Sequence, residues 1–314
     1  MDAILYHLAR GFITLVQALP LLWVARTGRT IGGLIYWLDA RHRQVAQRNL
    51  ERCFGQELTP AAIRDLAREN FRRIGENFGC AIKTAVMPLE ALKPHLEVSV
   101  PDSILRPGPD GADAKLVVAI GHFGNFELYA RLGHVLNGYQ MATTYRGLKQ
   151  PGFDRLLKSL REKSGCLFFE RRTGSDALKA FMAQPKVALG LLADQHAGRN
   201  GLRLPFFGLD SSTSAAPAVL ALRYDCRLVT AFCFRIGLAR WRFEGGEEIP
   251  THQDGKPRTA AAIMLDVNRS LEVAIRRDPA NWFWVHNRWK PPSKRRPVRP
   301  AASRAMQAGD TSSP

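Results

Sequence analysis

The segment Lys115-Leu-Val-Val-Ala-Ile-Gly-His122-Phe-Gly-Asn125-Phe-Glu127 decides how the chain is read, because an apolar run passes directly into a histidine, a glycine and a carboxylate. Leu116 to Ile120 is apolar and β-branched enough to lie buried on both faces of a sheet. Gly121 ends the run, so His122 emerges at the carboxyl edge of the sheet, where open α/β proteins bind their ligands. Asn125 to Arg131 then reads as the first turns of a helix. His122 and Glu127 would lie about 140° apart around one straight helix, so a turn must intervene, and Gly124 permits it. With the chain folded back, the Glu127 carboxylate can hold one imidazole nitrogen and leave the other as a general base for a hydroxyl group. The same residues also fit a blander arrangement, in which His122 satisfies backbone groups at a strand end and Glu127 is solvated in a helical first turn.

Outward from this segment the pattern alternates. Helical periods dominate residues 3 to 93, including a segment opened by Thr59-Pro60, a capping residue followed by a proline suited to the first helical position. A short strand, His95 to Val100, leads to a Pro/Gly/Asp-rich loop, Pro101 to Ala114. Strands then follow at Gln140 to Thr144, Cys166 to Phe169, Val187 to Ala193 and Leu228 to Phe234. Helices after Gly124, from Pro151 to Ser164, from Asp176 and from Ala215 to Tyr224 separate them. The fold class expected is α/β, a mixed, mostly parallel sheet flanked by helices, with an amino-terminal helical, membrane-associating section. The expected division is residues 1–94 helical, 95–292 catalytic and 293–314 a disordered basic tail. No internal repeat is evident.

Four of these strands end in polar residues on what would be one sheet edge. Besides His122, Arg146 follows the second, Arg171 and Arg172 the third, and Asp194 and Gln195 the fourth. Arginine suits both a phosphate, which its planar fork holds bidentately, and the oxyanion of a tetrahedral intermediate. Asp194 and Gln195 suit sugar hydroxyls or the orientation of an arginine. Surface charge for the arginines and a turn cap for Asp194 are the alternatives.

Gly121-His122-Phe123-Gly124-Asn125-Phe126-Glu127 resembles the His-x4-Asp/Glu motif of the lysophospholipid acyltransferase superfamily, in the form found in the lipid A biosynthesis (lauroyl-type) acyltransferases. Later blocks occur in the same order: Tyr145-Arg146 with Gln150-Pro151 and a helix containing Arg161, Phe169-Glu170-Arg171-Arg172, Leu192-Ala193-Asp194-Gln195, Pro205-Phe206-Phe207-Gly208 with Thr213, and Trp284-Val285-His286-Asn287-Arg288-Trp289-Lys290. The resemblance spans roughly residues 5 to 292. The chain departs from the pattern where Phe126 replaces a tryptophan, Gln150-Pro151 an Asn-Pro, and His286-Asn287-Arg288-Trp289-Lys290 a His-Arg-Arg-Phe-Lys. What the resemblance implies is an O-acyltransferase with His122 and Glu127 as the catalytic pair. Arg146, Arg171, Arg172, Asp194 and Gln195 would bind substrate, with no metal and no cofactor. The donor implied is acyl-acyl carrier protein or acyl-CoA, and the acceptor an anionic, phosphorylated glycolipid such as a lipid A precursor. The location implied is the cytoplasmic face of a bacterial inner membrane. Another glycolipid or lysophospholipid acceptor, and a non-catalytic basic binding protein at the membrane surface, are the competing expectations.

Composition agrees with an anionic partner. There are 45 Lys plus Arg against 28 Asp plus Glu, a formal charge of +17. Lys290, Lys294, Arg295, Arg296, Arg299 and Arg304 crowd the carboxyl end. No zinc-finger spacing, aromatic RNA-binding strand or helix-turn-helix pattern supports nucleic acid. Serine-hydrolase and nucleotide-binding fingerprints are missing too. Gly11 to Ala25 is an apolar run with Arg10, Arg26 and Arg29 around it, short for a span and interrupted by Pro20. It fits an interfacial or partly inserted anchor, with a buried core helix as the alternative. Cys53, Cys80, Cys166, Cys226 and Cys233 are odd in number and lack paired spacing, which points to small buried hydrophobes in a reducing compartment.

Overall fold

The computed structural model describes residues 2–106, 114–134, 138–148, 150–162, 164–171 and 173–290. The chain opens with α1 (Asp2–Ala18), α2 (Leu21–Leu38), α3 (Ala40–Phe54), α4 (Pro60–Thr84) and the single turn α5 (Leu89–Leu92). The break between α1 and α2 falls at Pro20, whose ring cannot continue a helix. Thr59 caps α4 by accepting from the Ala62 amide, with Pro60 at the first helical position as expected. The α2 and α4 backbones touch: a β-carbon on Gly32 would lie 2.2 Å from the Phe71 carbonyl oxygen, and one on Gly75 2.1 Å from that of Gly28. Glycine is required there by contact.

The strands are β1 (Leu96–Ser99), β2 (Leu116–Ile120), β3 (Gln140–Tyr145), β4 (Leu167–Glu170), β5 (Val187–Leu192), β6 (Leu202–Phe206), β7 (Leu209–Thr213), β8 (Arg227–Gly237) and β9 (Arg240–Ile249), followed by a hairpin of two-residue strands, β10 (His252–Gln253) and β11 (Lys256–Pro257). Among the described residues, seven form one sheet in the order β1-β9-β8-β2-β5-β3-β4, and β6 and β7 form a separate hairpin. The run β8-β2-β5-β3-β4 is parallel, while β9 pairs antiparallel with β8. The helices among and after these strands are α6 (Asp102–Leu105), α7 (Pro151–Glu162), α8 (Ser175–Met182), α9 (Ala216–Tyr224) and α10 (Ala260–Arg277). The expected mixed, mostly parallel sheet flanked by helices is the one found. Its central strands are largely buried, β5 at five of its six residues, and this is why they read as continuous apolar runs.

Two expectations change. The segment after Gly124 is a 3-10 helix, Phe126–His134, and not an α-helix. The expected loop from Pro101 contains α6, with residues 107–113 outside the described set. The basic tail, 293–314, also lies outside it.

The amino-terminal helices share a core with the sheet. Tyr36, Leu50, Phe54 and Phe71 pack in one cluster with Val117, Leu189 and Trp282. Two buried asparagines tie them to the carboxyl-terminal segment. Asn49 on α3 donates to the carbonyls of Trp284 and His286 (2.9 Å each), and Asn70 on α4 donates to those of Ala280 (2.9 Å) and Trp282 (2.5 Å). The outer faces of α1 and α2 are different. Ile4, Leu8, Phe12, Leu15, Trp23 and Trp37 stand exposed on them. No helix among the described residues is long and apolar enough to cross a membrane. All five cysteines are buried free thiols, and burial pushes the Cys166 thiol up to about 12 and that of Cys226 up to about 11.

Candidate active site

Strand register builds the centre. β2 and β5 are adjacent and parallel, with Ile120 opposite Leu192, so the second residue beyond each strand, His122 and Asp194, comes face to face. Asp194 accepts from the His122 backbone amide at 2.7 Å and from its Nδ1 at 2.8 Å. The Trp282 indole donates a third bond to Asp194, at 2.8 Å. The carboxylate is 1% exposed. Burial alone would raise its pKa, but the charge of His122 and these three donors outweigh that and hold it below the ordinary carboxylate value. An ionised carboxylate only accepts, so Nδ1 carries a proton in either charge state of the ring, and in the neutral ring the Nε2 lone pair is open. Nε2 has no hydrogen-bond partner among the described residues. Phe126 and Phe283 flank the ring, with centroids 4.8 and 5.9 Å away.

The turn after His122 has the form its sequence suggests. Gly124 has φ +61°, and a β-carbon there would meet the Cys233 carbonyl oxygen at 2.1 Å. Its amide donates to the Asn281 carbonyl, and Phe123 bridges Trp282. The turn does not carry Glu127 back to the imidazole, however. Glu127 instead receives a two-bond grip from Arg161 on α7, Nε at 3.1 Å and Nη2 at 2.5 Å. The expectation that Glu127 orients His122 is therefore corrected: Asp194 holds Nδ1. The expected substrate contact of Asp194 is corrected with it, since its oxygens are engaged by His122 and Trp282. The reason is geometric, because two residues past paired parallel strands are neighbours, whereas Glu127 starts a 3-10 helix aimed at α7.

His122 and Glu127 still share a site. They line a cavity of about 540 Å3 together with Arg146, Arg161, Arg171 and Gln195. Four of the polar strand ends thus meet on one edge, as expected: His122, Arg146, Arg171 and the pair Asp194 and Gln195. Arg171 donates from Nε to the Thr144 hydroxyl at 3.4 Å. Arg172 lies outside the described residues. Beside the ring, a small cleft shares Ile74, Phe78 and Phe283 with an apolar groove of about 540 Å3 between α1, α2 and α4. Asn125 is buried against that cleft with both side-chain polar atoms unpartnered among the described residues.

The aromatic block near the carboxyl end is mainly structural. Trp282, Trp284 and Trp289 are buried, and of that group Trp282 and the less buried Phe283 line the cleft. Arg288 is fully buried, donating to the Ser212 carbonyl and, at 2.8 Å, to the Thr213 hydroxyl. Burial lowers its pKa to about 10, so it stays charged at neutral pH. His286 accepts from the His196 amide through Nε2 at 3.1 Å, and burial drops its pKa to about 4.

Sequence reading missed Arg161 as Glu127's partner, the Trp282 indole, and Asn125. The equal spacing of His122 and Asp194 beyond their apolar runs was a usable signal, but only once β2 and β5 are known to be neighbours.

Residues 2–291 match the family model described as bacterial lipid A biosynthesis acyltransferase. The chain is 24% identical over 286 residues to the lipid A biosynthesis palmitoleoyltransferase of Escherichia coli (strain K12). It is also 24% identical to the lipid A biosynthesis acyltransferase of Shigella flexneri. In each case 89% of this chain and 89% of the relative are covered.

Proposed function

The chain belongs to the bacterial lipid A biosynthesis acyltransferases and is an acyltransferase, and we propose that it moves a fatty acyl group from an acyl thioester to a hydroxyl of a phosphorylated glycolipid of the lipid A type. The observation that carries this reading is the His122 and Asp194 pair at the mouth of a cavity walled by arginines.

His122 Nε2 takes the proton of the acceptor hydroxyl as its oxygen attacks the thioester carbonyl. The buried Asp194 carboxylate stabilises the imidazolium and fixes its tautomer. The tetrahedral oxyanion is met by a preorganised donor, for which Arg146 is the candidate on this edge. Collapse breaks the carbon–sulfur bond, and the imidazolium returns its proton to the leaving thiolate. The histidine is then ready for another cycle, with no covalent acyl-enzyme required.

Arg171, Arg172 and Gln195 are assigned to the acceptor's phosphate and sugar hydroxyls. Glu127 is a positioning residue that holds Arg161 along the cavity wall. The acyl chain is assigned to the apolar groove that begins at Phe283, where it leaves water. The donor is acyl-acyl carrier protein, whose acidic surface suits a chain of charge +17, with acyl-CoA as the other thioester. The exposed apolar face of α1 and α2 supports a location at a membrane surface, and the reading assigns the chain to the cytoplasmic side of a bacterial inner membrane.

Thiol release from an acyl thioester in the presence of a phosphorylated glycolipid tests the reaction. His122→Ala is expected to lower turnover by about 10³-fold or more while the protein stays folded. Normal turnover in that variant removes His122 as the base.

A further inference from the structure

On the other side of the α2 and α4 crossing from the apolar groove lies a concave pocket of about 660 Å3 into which Arg26, Arg29, Arg68, Arg72 and Arg235 converge. No carboxylate lines it among the described residues, and it shares no lining residue with the His122 cavity. Two of its arginines are fixed from behind. The fully buried Glu76 accepts from Arg29 at 3.2 Å and from Arg235 at 2.9 Å, and Glu69 also accepts from Arg29 at 2.8 Å. Arg68 lies over the Trp37 ring at 5.1 Å, its closest carboxylate contact being Asp65 at 3.9 Å. The side chains of Arg26 and Arg72 have no hydrogen-bond or ion-pair partner among the described residues.

Glu76 and Glu69 offset the charge of Arg29 and Arg235 from behind, but Arg26, Arg68 and Arg72 add positive charge to the same concavity, and Arg26 and Arg72 add nothing to the ion pairs that hold the fold. Such an arrangement is relieved by an anion that can accept several forked donors at once, and a phosphate group does this. The rim says where the phosphate comes from. Trp37 and Leu34 line the pocket and are largely exposed, next to Leu38 and the other bare apolar residues of α2. A tryptophan at that position suits the headgroup level of a bilayer.

We propose that this pocket is a binding site for the phosphate of an anionic membrane lipid, separate from the catalytic cavity, which seats the α2 and α4 pair on the bilayer. The proposal rests on the membrane-surface reading above and adds to it a discrete, lipid-selective contact.

The test uses the full chain and flotation with vesicles of phosphatidylcholine, with and without phosphatidylglycerol, at physiological salt. The Arg26→Gln/Arg72→Gln variant is expected to lose roughly ten-fold or more of its affinity for phosphatidylglycerol vesicles. Arg52→Gln/Arg223→Gln, which removes the same charge elsewhere, is expected to bind like the parent. Arg26→Lys/Arg72→Lys keeps the charge but loses the forks, and is expected to be weakened too. Equal loss in the pocket and control pairs, or full retention by the lysine pair, reduces the effect to diffuse charge and overturns the site. Parent binding to both vesicle types without preference sinks the pocket and leaves membrane association standing. Binding to neither sinks both.

Discussion

At the carboxyl edge of the sheet a single carboxylate, Asp194, is buried and matched by directed donors, whereas on the outer faces of α1 and α2 large apolar groups are exposed and unmatched. Asp194 has three donors around a carboxylate removed from water, while Trp23 and Leu8 stand 63% and 65% exposed with nothing against them. The first arrangement repays the cost of desolvating a charge only through directed partners, so its geometry is strict. The second lowers its free energy through any apolar surface that covers it, so it tolerates variation in detail but needs a second phase.

The sharpest way to break this comparison is to remove the charge at the edge. Asp194→Asn is expected to lower kcat by about 10²- to 10⁴-fold with little change in KM, because the imidazolium loses its counter-charge and its tautomer is no longer fixed. Glu127→Gln is expected to cost only about 10- to 100-fold, through a loosened Arg161. Measured kinetics with the opposite ranking would return the orienting role to Glu127.

A second test concerns His286 behind the edge. Its folded pKa of about 4 lies below the ordinary 6.5, so the folded protein takes up this proton less readily than the unfolded chain. The neutral form's stability is therefore complete above pH 6.5 and declines as pH falls from there toward 4. The loss should reach roughly 3 kcal/mol, measurable by urea unfolding across that range. His286→Gln should flatten the slope, and an unchanged slope would locate the acid sensitivity elsewhere.

The apolar layer gives the smallest effect. Leu8→Ser/Trp23→Ser is expected to leave the melting temperature nearly unchanged, because both side chains are exposed, while vesicle affinity falls by roughly ten-fold. A large drop in melting temperature would show that these residues serve the fold.

The strands were legible because each is a short apolar run closed by a glycine or a polar pair; Leu116–Ile120 and Gln140 onward were placed to within a residue of where they lie. The helix break at Pro20 and the cap at Thr59 were legible for equally local reasons. Strand order was not. Nothing local says that β5 inserts between β2 and β3, yet that insertion brings Asp194 to His122 and leaves Glu127 to α7. The hairpin of β6 and β7, strand β9 and helix α10 were not assigned from sequence either. The roles of Arg161 and Trp282 depend on contacts across 34 and 88 positions of chain, beyond the reach of any periodicity.

The glycine contact between α2 and α4 ties the two regions together mechanically. α4 meets α2 with no side chain between them, and through Asn70 it also grips the backbone on either side of Asn281, next to the indole that steadies Asp194. One rod therefore runs from the exposed apolar layer to the residues that hold Asp194 against His122. A single methyl group added at Gly32 or Gly75 would wedge that rod sideways, so a change made far from the chemistry would be felt as a misaimed ring.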